Sequence, residues 1–395
     1  MDEHRESITE EFSTKKKTVP ARQVFRVVWR VVALLLTAAL VVGAVYVVVH
    51  RNEFTVERLR RQITSRTRRS DVSEPFTFSG DTDSAFAVVD DTLIVCSTGE
   101  LQVFDQIGEK LLEQPVRMEQ PVISAAGSYA LAYDSNGAQL FVLRNAVVTQ
   151  RYTATGEQGI LSARINTSGW TAVVEQATGY KAAVTVYDTS FQPRLTENIS
   201  SSYIMDAALS DDNATLALVS IGEDATGFQT VLIFYNVSDG MEIGRYVLGS
   251  DVVLDLRWRS DTLWVQGEYG AYCVADHQLK ASYTDAARFL QQFSLGGEGF
   301  ASLYFCKYQG GTTGSLTLLE ADGTQNSVGI NEEVLSVSAA GGYVAVLTGS
   351  QLTIYNRDLT VFAATESGGA RRVQMRGDGT AVLISGNSAT LFQPD

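Results

Sequence analysis

From about residue 76 to the C-terminus, short apolar runs rich in Val, Ile, Leu, Tyr and Thr are broken every six to ten residues by Gly, Asp, Asn or Ser. β-branched and aromatic residues suit a pleated, half-buried surface, and turn residues at this spacing leave room only for short strands. The pattern therefore predicts an all-β domain of many antiparallel strands. After the N-terminal region the only helix-like stretch is Asp285–Gln292, one or two turns at most.

The runs are not independent of one another. An apolar or aromatic residue followed by a polar one recurs at Phe104-Asp105, Leu143-Arg144, Tyr187-Asp188, Tyr235-Asn236, Ala275-Asp276, Leu319-Glu320, Tyr355-Asn356 and Phe392-Gln393. These eight copies lie on average about 41 residues apart, the period of a four-stranded propeller blade. A second element, strand, tight turn, strand, precedes several of them. It is clearest in the near duplicates Ile123-Ser-Ala-Ala-Gly-Ser-Tyr and Val337-Ser-Ala-Ala-Gly-Gly-Tyr, and recurs at Ala208–Leu218 and Val373–Leu383. Each unit thus reads as strands a, b, c and d. Eight blades are expected, or seven if the weak fifth or sixth unit is misread. The last unit ends after its strand c, while Phe76-Thr-Phe-Ser-Gly is a spare strand with no unit of its own. That strand is expected to complete the last blade and close the ring, removing sheet edges that would invite aggregation.

These repeats resemble the WD40-like propeller class. In particular they are similar to membrane-anchored propeller proteins of unknown function from Gram-positive bacteria, which pair a short cytoplasmic tail and one span with an exported propeller. The likeness runs from Arg22 to the C-terminus without the strict Gly-His and Trp-Asp signatures, and it implies location and fold more than activity.

The N-terminal pattern is different. Val31–Val49 is an uncharged run of 19 residues, about 28 Å as a helix and close to a hydrocarbon core of about 30 Å. Trp29 and Tyr46 sit towards its ends, and His50-Arg51-Asn52-Glu53 offers no small-residue cleavage site, so an uncleaved anchor is expected rather than a signal peptide. The expected organisation is a disordered cytoplasmic tail over 1–24, a transmembrane helix over 25–50, a basic juxtamembrane stalk over 51–75 and the propeller over 76–395. Basic residues are nearly balanced across the span. Because long downstream domains translocate largely regardless of charge, the expected location is the cell membrane, single-pass, with the propeller outside the cytoplasm.

Charge follows the same division. Residues 1–70 hold 14 Lys and Arg against 7 Asp and Glu, a net of +7, leaving 17 against 38, a net of −21, for the remainder. So acidic a domain repels polyanions, which excludes nucleic acid as a partner.

Signs of catalysis are sparse. The three histidines, His4, His50 and His277, lack triad company, and there is no G-x-S-x-G elbow, H-E-x-x-H or phosphate loop. Cys96, Cys273 and Cys306 lie inside apolar runs without C-x-x-C spacing and read as buried side chains. Acidic turns at Asp81-Thr-Asp83, Asp211-Asp212-Asn213 and Glu320–Gly323 fall short of a calcium loop and read as hairpin chemistry. No catalytic residue, metal or cofactor is assigned, and the protein is expected not to be an enzyme. Arg376-Gly377-Asp378 spells an adhesion tripeptide but sits in an expected a–b turn.

Two features suit binding. The b–c connections Glu175–Tyr180, Glu223–Phe228 and Lys307–Gly314 are long and would share one face, offering Tyr180, Phe228 and Tyr308 as contacts. Arginines gather on expected innermost strands, namely Arg164, Arg257, Arg259, Arg371, Arg372 and Arg376, where they could hold an anion or pair with Asp255 and other acids. The leading reading is a membrane-tethered recognition or scaffold module facing a protein or envelope-polymer partner, with lipid contacts through the N-terminal helix. The alternative is a sensor binding an anionic ligand in the channel; a propeller enzyme ranks below both.

Overall fold

The computed structural model describes residues 73–154, 159–224 and 227–394, all within the unit Ser70–Asp395. The expected tail and membrane span, and almost all of the stalk, lie outside the described residues.

Thirty-two strands form eight four-stranded antiparallel sheets. Each sheet is a blade with strands a to d in spatial order, and the eight strands a lie innermost: Ala85–Val89, Pro121–Ala126, Ile160–Ile165, Tyr203–Leu209, Val253–Arg259, Phe289–Ser294, Val334–Ala340 and Arg372–Met375. The ring is therefore eight-bladed, the fifth and sixth units included. Its last blade is made from both ends of the described chain, because Phe76–Thr77 pairs with strand c at Ser388–Phe392 in the register Phe76↔Ala389 and Thr77↔Ser388.

What holds the ring together is the interface between blades. Eight apolar clusters are present, and each straddles two consecutive blades. The closing one joins Val382, Ile384 and Ala389 of blade 8 to Leu93, Val95 and Phe104 of blade 1, with Phe78 between them. No sheet carries its own core; each face is covered only by a neighbour, so stability requires the stack.

The eight sequence copies now have a physical explanation. All lie at the end of a strand c, and in blades 1, 3 and 4 the polar residue organises the c–d turn. Asp105 Oδ1 accepts from Ile107 N at 3.0 Å and Glu109 N at 2.8 Å. Asp188 Oδ1 accepts from Ser190 N at 2.8 Å and Gln192 N at 3.0 Å, and Asn236 Oδ1 from Ser238 N at 2.8 Å. These side chains replace backbone partners that the turn would otherwise leave unpaired.

Two local expectations are corrected. Asp285–Gln292 is not helical: Asp285 and Arg288 form a turn closed by their ion pair at 2.6 Å, and strand a of blade 6 starts at Phe289. Glu223–Phe228 is not a loop extension either. Strands b and c of blade 4 extend into it from either side, Thr215–Asp224 pairing with Gly227–Asn236 as far as Asp224↔Gly227. The backbone hydrogen bonds of the ladder carry the hairpin beyond the blade, where side-chain burial no longer drives it.

Candidate functional site

In this ring the b–c and d–a connections share one face, and the a–b and c–d turns share the other. Cross-connections fix the first set: Val116 and Met118, between blades 1 and 2, donate to Gly99 and Thr98 of a b–c turn, and Asp285 N donates to Tyr269 O at 2.8 Å. Tyr180, Phe228 and Tyr308 all lie on this b–c face and are exposed by 49%, 44% and 65%.

They are part of a larger surface. Among the described residues fifteen large hydrophobics are exposed, and eight of them lie at the b–c end of blades 3 to 6. Besides the three aromatics these are Tyr203, Met205, Leu254, Tyr269 and Phe289. The other seven sit on c–d turns or outer strands, and blades 1, 2, 7 and 8 add none to this end. Lysines border the surface: Lys181 Nζ lies 4.6 Å from the Tyr203 ring centroid and Lys307 Nζ 5.3 Å from that of Tyr308.

Met205 and Leu254 are exposed because of a backbone device. The inner strands of blades 3 to 7 each shift register near their start, between Ile160 and Ser162, Ile204 and Asp206, Val253 and Asp255, Leu290 and Gln292, and Val334 and Ser336. A bulge inserts an extra residue and re-aims its side chain. Its sequence signal is an apolar pair followed by Ser or Asp, as in Ile160-Leu-Ser, Ile204-Met-Asp, Val253-Leu-Asp and Val334-Leu-Ser. Two successive apolar residues break strict alternation, which is how these positions could have been recognised.

In and around the channel the arginines divide into two groups. Arg164 is fully engaged: Nε contacts both Asp206 oxygens at 2.9 and 2.8 Å, Nη1 reaches Asp255 at 2.7 Å, and Nη1 also donates to Leu256 O at 2.9 Å. Burial works against its charge, but Asp206 and then Asp255 outweigh that and hold the guanidinium more firmly protonated than usual. Arg372 donates to Ser84 O at 2.8 Å and lies 5.3 Å from the Phe86 ring. Arg376, 5% exposed, donates to Asp91 O at 2.6 Å. It lies in the a–b turn of blade 8 rather than on the inner strand, and Asp378 caps Thr380 N at 3.0 Å, so the Arg-Gly-Asp tripeptide does not present its arginine to solvent. Arg371 just precedes that inner strand and is exposed.

Arg257 and Arg259 form the second group. Both project from the same side of strand a in blade 5, and neither forms an ion pair within the described residues. Arg257 donates to Ala125 O on the inner strand of blade 2, and Arg259 to Gly296 O at 3.1 Å. Burial first, and then repulsion by Arg259, pulls Arg257 down to about 10, against the attraction of Asp255. Burial also lowers Arg259, opposed by Asp211 and Glu298. Arg257 lines two cavities. One of about 150 Å³ contains Arg164 and Asp255 in its wall, and one of about 310 Å³ contains Arg257, Arg259, Ser294, Ser338 and Gln374 with no carboxylate.

Other residues singled out in the sequence lie in blade interfaces and turns. Cys96, Cys273 and Cys306 are buried free thiols. Burial pushes Cys96 up to about 12 and Cys273 to about 11. Asp81 binds Thr98 N at 2.9 Å and Thr98 Oγ1 at 2.7 Å, and Asp322 caps Thr324 N at 2.8 Å, which is turn chemistry. His277 lies in a c–d turn with its ring 4.9 Å from that of Phe234.

Residues 64–362 match a family of unknown function, DUF5711. The chain belongs to this family. No curated protein matches it in sequence. Among solved structures, this DUF5711 chain is similar to the computationally designed protein Ika8, at 10% identity over 81% of this chain and 99% of that one, with a TM-score of 0.59. The C-terminal WD40 domain of Sif2 matches at 12% identity over 80% and 98%, TM-score 0.54. BamB from Moraxella catarrhalis matches at 12% over 82% and 98%, TM-score 0.50. At such identities the likeness establishes a shared WD40-like propeller fold.

Proposed function

We propose that this protein is a non-catalytic binding module that holds a protein partner on the b–c face of blades 3 to 6. The observation that carries this reading is the confinement of Tyr180, Tyr203, Phe228, Phe289, Tyr308 and the bulge residues Met205 and Leu254 to one end of four adjacent blades. Scattered exposed hydrophobics need no explanation, whereas a contiguous group bordered by lysines has the make-up of an interface centre and rim. In the same reading Val31–Val49 anchors the chain in the cell membrane and the propeller lies outside the cytoplasm. Ser73, bonded to Leu391, lies at the opposite end of the blades from the aromatic face.

The test is site-specific photocrosslinking in intact cells from the full-length chain. Probes at Tyr180, Phe228 and Tyr308 are expected to trap one discrete adduct in common. A probe at Asp378, in a turn of the opposite face, is expected to trap none. Equal capture from Asp378 would end this reading.

A further inference from the structure

Arg257 and Arg259 pose an electrostatic problem that the neighbouring carboxylates offset only in part. Two guanidinium groups on one strand face one cavity, and each repels the other within a partly desolvated space. The nearby carboxylates attract the pair from outside the cavity, and none of them lines it or forms an ion pair with either arginine among the described residues. Asp255 pairs with Arg164 at 2.7 Å. Asp211 binds Thr167 Oγ1 at 2.6 Å and Ser260 N at 3.2 Å, and Glu298 is exposed. Removing a cation from water without a compensating charge is costly, and such a pair persists where a counterion repays it.

The remaining polar groups of the cavity are suited to that counterion. Arg257 and Arg259 each spend one donor on a backbone carbonyl, and Arg259 Nε is buried without an acceptor. Ser294 Oγ accepts from Ala339 N at 3.0 Å and Ser338 Oγ from Met375 N at 2.9 Å, which leaves each hydroxyl hydrogen free to donate. Gln374 adds an amide to the same wall. We propose that this 310 Å³ channel cavity binds a small tetrahedral oxyanion, phosphate or sulfate, free or as the end group of a small molecule. Forked guanidinium donors and hydroxyls match the several acceptor oxygens of such an ion. This site is independent of the b–c face and stands or falls without it.

Titration calorimetry and thermal unfolding of the full-length chain in chloride buffer test the site, with inorganic phosphate and glycerol phosphate as probes. Saturable binding is expected, with a rise in the unfolding midpoint that sodium chloride at equal ionic strength does not give. Arg257→Gln and Arg259→Gln are each expected to weaken binding at least tenfold, whereas Arg151→Gln on an exposed outer strand changes it less than twofold. Tighter binding of glycerol phosphate identifies an end group as the ligand, and tighter inorganic phosphate identifies the free ion. Arg257→Lys and Arg259→Lys, which keep the charge but lose the fork, are expected to bind at intermediate strength and serve if the Gln variants do not fold. No saturable signal from either probe with the wild-type chain, or unchanged affinity in the lysine variants, overturns the proposal.

Discussion

Ser73 and Leu391, 318 positions apart, clasp each other through two hydrogen bonds of 2.9 Å: Leu391 N donates to Ser73 Oγ, and Ser73 N to the Leu391 carbonyl. This pair extends the Phe76–Thr77 ladder and makes the last blade a joint product of both ends of the described chain. Closure of this kind converts two sheet edges into one interface.

Phe78, 6% exposed, packs edge-on against Phe86 at 5.5 Å and sits in the closing cluster. Phe78→Ala is expected to cost about 3–5 kcal/mol by loss of contact and cavity formation, measured by urea denaturation of the full-length chain. Phe76→Pro, which breaks the pairing with Ala389, is expected to expose the Ser388–Phe392 edge and drive association visible in sedimentation. A variant that stays monodisperse with an unchanged transition contradicts the closure argument.

Arg164 joins three blades through Asp206 and Asp255. Asp206→Ala leaves a largely enclosed cation with half its partners and is expected to destabilise by about 3 kcal/mol. Asp255→Ala is expected to cost less, because the Arg164 contacts to both Asp206 oxygens survive. The reverse order in denaturation would show that Asp255 is the principal partner.

The thiols of Cys96 and Cys273, raised to about 12 and about 11 by burial, hold almost no thiolate near neutrality. Both are expected to resist iodoacetamide at pH 8 in the folded chain and to react fully in guanidinium, as counted by mass spectrometry. Rapid native alkylation at either would place it outside the blade interfaces.

Glu175 accepts a hydrogen bond from Tyr152 at 2.9 Å, yet burial raises its carboxyl above the usual range. A raised pKa means that the folded state binds the proton more tightly, so this group adds stability as pH falls through its folded value and takes it away as pH rises. Glu175→Gln is therefore expected to be more stable than wild type at pH 7. The difference should vanish below about pH 4, where the wild-type carboxyl is also neutral in the unfolded chain. Denaturation midpoints across that range decide it; a gap that widens in acid has the wrong sign.

The b–c face should be separable from the fold. Leu254→Ser and Tyr308→Ser, at positions exposed by 49% and 65%, are expected to shift stability by no more than about 0.5 kcal/mol. The same changes are expected to abolish the photocrosslinked adduct. Loss of the adduct accompanied by unfolding would assign these residues to structure instead.

The all-β class, the eight units and the closing strand were legible in the chain because each is a local or periodic property. Turn residues punctuate strands, and a polar cap recurs at Asp105, Asp188 and Asn236, where strand c turns into strand d. Tyr180, Phe228 and Tyr308 could be placed on a common end from topology alone. The addition of Met205 and Leu254 depended on bulges, in which one inserted residue changes the direction of a side chain. The arginines show the limit most clearly. Sequence gathered Arg164, Arg257, Arg259, Arg371, Arg372 and Arg376 on inner strands as equals, since strand phase reports only which way a side chain points; Arg371 and Arg376 fall just outside the strand Arg372–Met375. Their separation into an ion-paired cation at Arg164 and a pair at Arg257 and Arg259 that has no ion-pair partner among the described residues was decided by closure of the ring, which brings Asp206, Asp255, Ala125 and Gly296 to particular guanidiniums. Electrostatic partnership depends on distances of a few ångströms between residues far apart in the chain, and only the tertiary structure sets those distances.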